Sequence, residues 1–326
     1  RRPVAVEYLE ILGRDPAGAV KCVVASHWHD DHVRGLGALF DSCRSAEFVC
    51  SVALQPREFI TLVEAYGRRA MMESSGVSEF SRILQTLAER KVPPRWAISG
   101  RPVHEAITAI GGTRLLPLSP SDRAVELAFA ELGSLIPTPG DPKRRLPARR
   151  PNHAAVALWV EAGAERILLG ADLEEEGNQH TGWSAVLQMV KPGISGAMVS
   201  KVAHHGSENG DHERIWSDLL APQPFAILSP FQRGGVSLPT IGDLERISGR
   251  TENGYITAHP QRPRPGNRSK VVERCIRETT KSIRQAENRP GHVRLRKKLD
   301  AGSEWNVELF GPATHIRAIA ASGGSA

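Results

Sequence analysis

One short stretch constrains this chain more than any other: His27-x-His29-x-Asp31-His32, set where the apolar run Cys22-Val23-Val24-Ala25 ends. A short apolar run stopped by polar residues reads as a buried strand, here ending at Ser26. Imidazoles and carboxylates are strongly hydrated and have no packing reason to crowd where such a strand emerges. On an extended segment, residues two apart face the same way, so His27 and His29 can converge on one cation. The following turn then carries Asp31 and His32 toward a second. Imidazole nitrogens with carboxylate oxygens suit zinc, with manganese or iron in related sites.

Further strand tips repeat the pattern. Arg166-Ile167-Leu168-Leu169-Gly170-Ala171 delivers Asp172 at the end of a strongly apolar strand, where burial penalises a carboxylate unless something pairs with it. The alternative is a cap for a helix starting at Leu173-Glu174-Glu175-Glu176. The run Gly196 to Ala203 ends in His204-His205-Gly206-Ser207, and Pro151-Asn152-His153 leads into the apolar stretch Ala154 to Val160, read as another strand.

Together these segments resemble the metallo-β-lactamase fold superfamily, and within it the soluble hydrolase domain of DNA-uptake competence channels (the ComEC type). The resemblance covers most of residues 4–260 and, more weakly, 291–310. It implies a four-layer αββα sandwich with two divalent metal ions, zinc first and manganese as the alternative. It further implies His27 and His29 on one ion, Asp31, His32 and His204 on the other, and Asp172 between them. His205 becomes a proton donor or phosphate-facing group, and Asp31 orients the nucleophile as well. For the third position on the first ion two readings stand: His153 as ligand, or Asn152, which matches the branch's Asn-x-x-Ser with Ala155 in place of the serine. Leu238 stands where the branch carries a histidine, which removes a substrate-side contact. The chain also opens at what reads as the family's first helix, Val4 to Leu12, without the two strands that usually precede it.

The remaining sequence sets the organisation. Residues 1–260 read as the hydrolase core, with a helical insertion at about 52–92 and an exposed basic loop at 137–151. Residues 261–290 read as a basic helical insertion, 291–320 as a C-terminal hairpin completing the core, and 321–326 as a disordered tail. The apolar stripes Phe59-Leu62-Val63-Tyr66 and Phe80-Ile83-Leu84-Leu87 have helical spacing and read as core packing. Gly35 and Gly37 lower helix propensity over Val33–Phe40 and allow a close backbone approach.

Charge points to a partner class. The chain of 326 residues carries a formal net charge of +6, and the excess is local: residues 262–298 hold thirteen Lys or Arg against three Glu. Lys143 to Arg150 add five more. Beside a hydrolytic metal site, such runs favour a polyanionic substrate, nucleic acid first. No apolar run reaches the roughly eighteen residues that span a bilayer. The four cysteines form no Cys-x-x-Cys pair, which fits a reducing, cytoplasmic setting. No Gly-x-Ser-x-Gly elbow or Walker glycine loop is present, so acyl-enzyme and triphosphatase chemistry find no support. The expected function is a metal-dependent phosphodiesterase acting on DNA. The alternatives are hydrolysis of a small ester, thioester or lactam on the same centre, or a non-catalytic nucleic-acid-binding module. The sequence identifies no protein partner.

Overall fold

The computed structural model describes residues 2–55, 59–60, 63, 76–108, 111–135, 152–191, 193–233, 235–261, 269–280, 291–298 and 302–323. The basic loop 137–151, part of the 52–92 insertion, most of the 261–290 insertion and residues 324–326 lie outside them, while 321–323 of the tail expected to be disordered close a helix. The fold is mixed α/β, with a large mixed sheet flanked by helices, and the chain divides into two compact units.

The first unit comprises residues 1–204 and 208–224. It opens with α1 (Val4–Ile11) and α2 (Pro16–Ala19) and then β1 (Cys22–Ala25). The one-turn α3 (Asp30–Val33) and α4 (Leu36–Ser42) follow, and then β2 (Glu47–Ser51), α5 (Gly76–Arg90) and β3 (Arg95–Ala97). Strands β1, β2 and β3 pair in parallel in that order. A helix expected from Val33 is broken instead: Arg34 is extended and Gly35 adopts φ 83°, which restarts the chain as α4 in a new direction.

The same unit's larger sheet contains β4 (His104–Thr108), β5 (Gly111–Pro117), β6 (Leu158–Ala162), β7 (Glu165–Leu169) and β8 (Ala197–Lys201), in the order β8-β7-β6-β5-β4. Its pairs are antiparallel except β7 with β8, which run parallel. Between β5 and β6 runs α6 (Asp122–Leu135), and between β7 and β8 runs α7 (Gly182–Met189). The strand expected from Ala154 begins only at Leu158, because the backbone before it is engaged elsewhere: Val156 N–H donates to the Ser26 carbonyl and Ala157 N–H to Ser119 Oγ, both at 2.8 Å.

Period-two alternation sorts the core of this unit. Val23, Ala25, Phe48 and Cys50 of the small sheet pack with Phe40, Phe59, Phe80, Ile83 and Leu87, as the helical stripes predict, and with Ala128 and Leu132 of α6. The intervening Val49, together with Ala97, packs with Leu158 and, half-buried, Val24, Leu115 and Val160. On the large sheet's other side, Leu116, Trp159 and Leu168 meet Trp183, Val186 and Leu187 of α7.

The second unit comprises residues 205–207 and 225–326. The strand β9 (Leu220–Leu228) runs into it and pairs in parallel with β12 (Gly254–Ile256), which pairs antiparallel with β15 (Thr314–His315). A small hairpin, β10 (Phe231–Arg233) and β11 (Val236–Leu238), precedes α8 (Ile241–Ser248). That helix starts with a capping box: Asp243 N–H donates to Thr240 Oγ1 and Thr240 N–H to the Asp243 carboxylate. The basic insertion supplies α9 (Lys270–Thr279), none of whose described side chains is buried. The C-terminal hairpin, β13 (His292–Arg296) with β14 (Asn306–Phe310), forms a two-stranded sheet of its own. The strand β15 joins the unit's sheet instead, and α10 (Ile316–Gly323) buries Ile316 and Ile319 in a unit whose α8 buries Leu244 and Ile247.

Candidate metal centre

The loop after β1 takes the predicted form. His29 is extended (φ −70°, ψ 145°) and caps the single turn of α3, so Asp31 and His32 leave on a helix while His27 and His29 leave on extended chain. Neighbouring groups hold this loop. Asp30 accepts a hydrogen bond from Gly76 N–H at 2.6 Å, so the metal loop caps α5. Glu79, one turn into α5, accepts from Gly35 N–H (2.8 Å) and Gly37 N–H (2.9 Å). An added Cβ on Gly37 would lie 2.8 Å from Arg82 Cδ, a contact the flexible arginine side chain can relieve by moving.

Ligand-type atoms converge around Asp172. One nitrogen each from His27 and His29 and one oxygen of Asp172 lie within 4.8 Å of one another; so do the donor atoms of Asp31, His32 and Asp172. The two oxygens of Asp172 divide between these groups: Oδ2 lies 3.6 Å from His27 Nε2, and Oδ1 lies 3.0 Å from His32 Nε2. His32 Nε2 is also 3.4 Å from Asp31 Oδ2. The His27 ring stands 4.8 Å from that of His29 and 4.2 Å from that of His32, centroid to centroid. Residues 173–176 form no helix, so Asp172 is not a helix cap.

Burial sets the protonation. His27 is 1% exposed, and burial holds its pKa well below the ordinary imidazole value; His32 and His29 act the same way, while Asp172 and Asp31 oppose. His29 is lowered by burial too. Both are therefore neutral at pH 7, the form in which imidazole binds metals. The His27 Nδ1 is 3.1 Å from the Ser26 hydroxyl, while its Nε2 is buried with no hydrogen-bond partner. A nitrogen so placed, facing a buried carboxylate oxygen beyond hydrogen-bonding distance, fits a cation between the two.

The third position has two candidates, and each is placed. His153 lines a cavity of about 20 Å3 with His27, His29 and Glu131, room for a single ion or water. Its Nδ1 is buried without a hydrogen-bond partner, and its Nε2 lies 3.4 Å from Glu176. Asn152 instead donates to Glu174 Oε1 at 3.0 Å. Glu174, 5% exposed, also accepts from Asn209 Nδ2 at 2.7 Å, and Asn209 Oδ1 lies 3.0 Å from His204 Nδ1. His204 Nε2 is 3.9 Å from the same Glu174. His204 thus turns toward the Asn209–Glu174 network and is not among the residues gathered at Asp172. In the second unit, His205 Nδ1 is 3.0 Å from the Ser229 carbonyl oxygen and its ring lies 5.1 Å from that of Phe231.

Sequence reasoning missed several residues around this centre. Glu174 and Asn209 stitch segments distant in sequence, and no local pattern marks them. Glu79 shows only as a polar position on an amphipathic helix. Lys201 is half-buried at the end of β8 and donates to the Val202 carbonyl at 3.2 Å. Its pKa is lowered by burial, against the pull of Asp172. The run of hydrophobic residues around it gave one signal, since a lysine there needs a counter-charge.

No family model matches the chain, and no curated protein matches it in sequence. Its class therefore rests on fold and site: a mixed α/β protein whose histidines and aspartates, clustered about the buried Asp172, can hold a metal ion. No helix among the described residues is long and apolar enough to cross a membrane.

Proposed function

We propose that this chain is a metal-dependent hydrolase of the metallo-β-lactamase fold superfamily, near the competence-protein branch, that cleaves phosphodiester bonds in DNA. The observation that carries the reading is the division of Asp172: one oxygen toward the His27 group, the other toward the His32 group. The alternation of buried faces, with helices outside two sheets, supports a four-layer sandwich. His27, His29 and His153 would hold one ion; Asp31 and His32 would hold the other, and Asp172 would join the two. When bound, the ions supply Lewis acidity and lower the pKa of a water toward neutrality.

The protein's own groups do the rest. Asp31, exposed beside His32, accepts a hydrogen bond from the attacking water and orients it. The test is hydrolysis of single-stranded DNA and of a generic ester, with chelator and with added zinc or manganese, for the parent and Asp172→Asn. DNA cleavage should need metal and fall by more than about 100-fold in the variant, beyond the loss typical of an outer-shell partner. Equal cleavage by both proteins defeats the bridging role, and ester cleavage without DNA cleavage selects the small-substrate chemistry.

A further inference from the structure

The hairpin β13–β14 pairs His292 with Phe310, Arg294 with Glu308 and Arg296 with Asn306, and by alternation these six share one face. Val293, Leu295, Val307 and Leu309 share the other. On the polar face the His292 ring lies stacked at 28° to Phe310, centroids 5.5 Å apart, and the Arg294 guanidinium sits 4.8 Å from the Phe310 centroid. Glu308 accepts from Arg294 Nε at 2.7 Å, which fixes that guanidinium within the ribbon. Phe310 is nevertheless 42% exposed. The cations continue on this face through Arg296 to Lys298, while Lys297 falls by alternation on the other, its ammonium 6.0 Å from the Trp305 ring.

We propose that this face binds single-stranded nucleic acid. It rests on the polyanionic substrate inferred above but needs no metal ion. Phosphates call for cations, which Arg294, Arg296 and Lys298 supply against Glu304 and Glu308. Bases call for exposed flat surfaces, which the His292–Phe310 stack supplies. An acidic protein would use the cations and leave the rings idle, and a duplex keeps its base faces inside its own stack. Cations and rings interleaved on one ribbon face fit an unpaired strand best.

The test is fluorescence anisotropy of a labelled oligothymidine with the full chain in chelator, so that no hydrolysis intrudes. Phe310→Leu should weaken binding about 5- to 150-fold, the range for loss of one stacked base, and Phe310→Tyr should restore it. Replacing Arg296 and Lys298 together by alanine should flatten the log–log salt dependence by about 1.4. The chelator removes the metal chemistry throughout, so a failed hydrolase reading leaves this surface standing. Conversely, cleavage with unaltered binding in the hairpin variants rejects the surface alone. Equal losses for Phe310→Leu and Phe310→Tyr, preference for duplex, or competition by polyglutamate as strong as by oligothymidine would each overturn the proposal.

Discussion

Replacing Gly76 by alanine sets two effects against each other. Alanine is the better helix former by about 1 kcal/mol, so at an open position in α5 the change would stabilise. Gly76 is not open. An added Cβ would overlap the Trp28 carbonyl oxygen and lie 3.0 Å from its carbonyl carbon and 3.3 Å from Val33 Cγ2. Trp28 sits between His27 and His29, and Gly76 N–H is tied to Asp30 at 2.6 Å, so helix and metal loop cannot part without losing that bond. Relief requires a backbone shift of about 1 Å, a displacement able to cost about 100-fold where ligand geometry matters. Overpacking adds about 1–3 kcal/mol of destabilisation, which outweighs the propensity gain. Zinc affinity by competition with a chromophoric chelator, read beside a urea melt, measures both. We expect Gly76→Ala to bind zinc about 10- to 100-fold more weakly and to unfold at lower urea. A variant of equal or greater stability with undiminished zinc affinity refutes the claim that α5 clamps the loop.

Three further outcomes follow from the geometry. Glu174→Ala should cost about 1–3 kcal/mol in urea melts, because it removes the carboxylate that the buried Asn152 amide and Asn209 both donate to; a cost near zero would show that the network does not bind the loops together. The metal-free protein should lose stability as pH falls below about 6.5. His27 and His29 have depressed pKa values, so the unfolded chain takes up protons that the folded one refuses; stability present above the unfolded pKa is lost toward the folded one. The limiting slope is about 1.4 kcal/mol per pH unit for the fully buried His27 and less for His29, and chelated urea melts that are flat between pH 7 and pH 5 would contradict it. Iodoacetamide should label the exposed Cys275 alone in the folded protein, since Cys43 and Cys50 are buried and burial pushes the Cys22 thiol up to about 11; mass mapping that finds Cys50 labelled before unfolding would dispute that core.

The metal loop was legible because its chemistry is local. Histidines two apart on extended chain, followed by one turn, need no tertiary knowledge to place, and the structure gathers those residues with Asp172. The buried stripe of α5 was legible for the same reason, whereas the close backbone approach expected at Gly35 and Gly37 is not made: Gly35 meets nothing within 4 Å and Gly37 only side-chain atoms. What stayed hidden depends on residues far apart in sequence meeting. Ala154–Ala157 looks like strand but spends its backbone on Ser26, Leu118 and Ser119. The first half of β9 contains Pro222 and Pro224, which mask a strand. The orientation of His204 is set by Asn209 and Glu174, and nothing within the His-His-Gly-Ser run reports it.

The backbone at the two strand tips carries one more argument. Ala171, His204 and His205 have φ of 48°, 44° and 57°, the left-handed region where a side chain costs about 1 kcal/mol or more and glycine costs nothing. Close packing holds the first two there. His204 N–H donates to the Ala171 carbonyl at 2.9 Å, Gly170 N–H donates to the Lys201 carbonyl at 2.9 Å, and a Cβ on Gly170 would lie 2.8 Å from that of Ala203. The chain does use glycine at the tips where room is short, at Gly170, Gly206 and Gly210. At 204 and 205, where conformation favours glycine, it carries imidazoles instead. Both rings are buried and engaged, His204 with Asn209 Oδ1 and His205 with the Ser229 carbonyl and the Phe231 ring, and those contacts offset the backbone cost at each position.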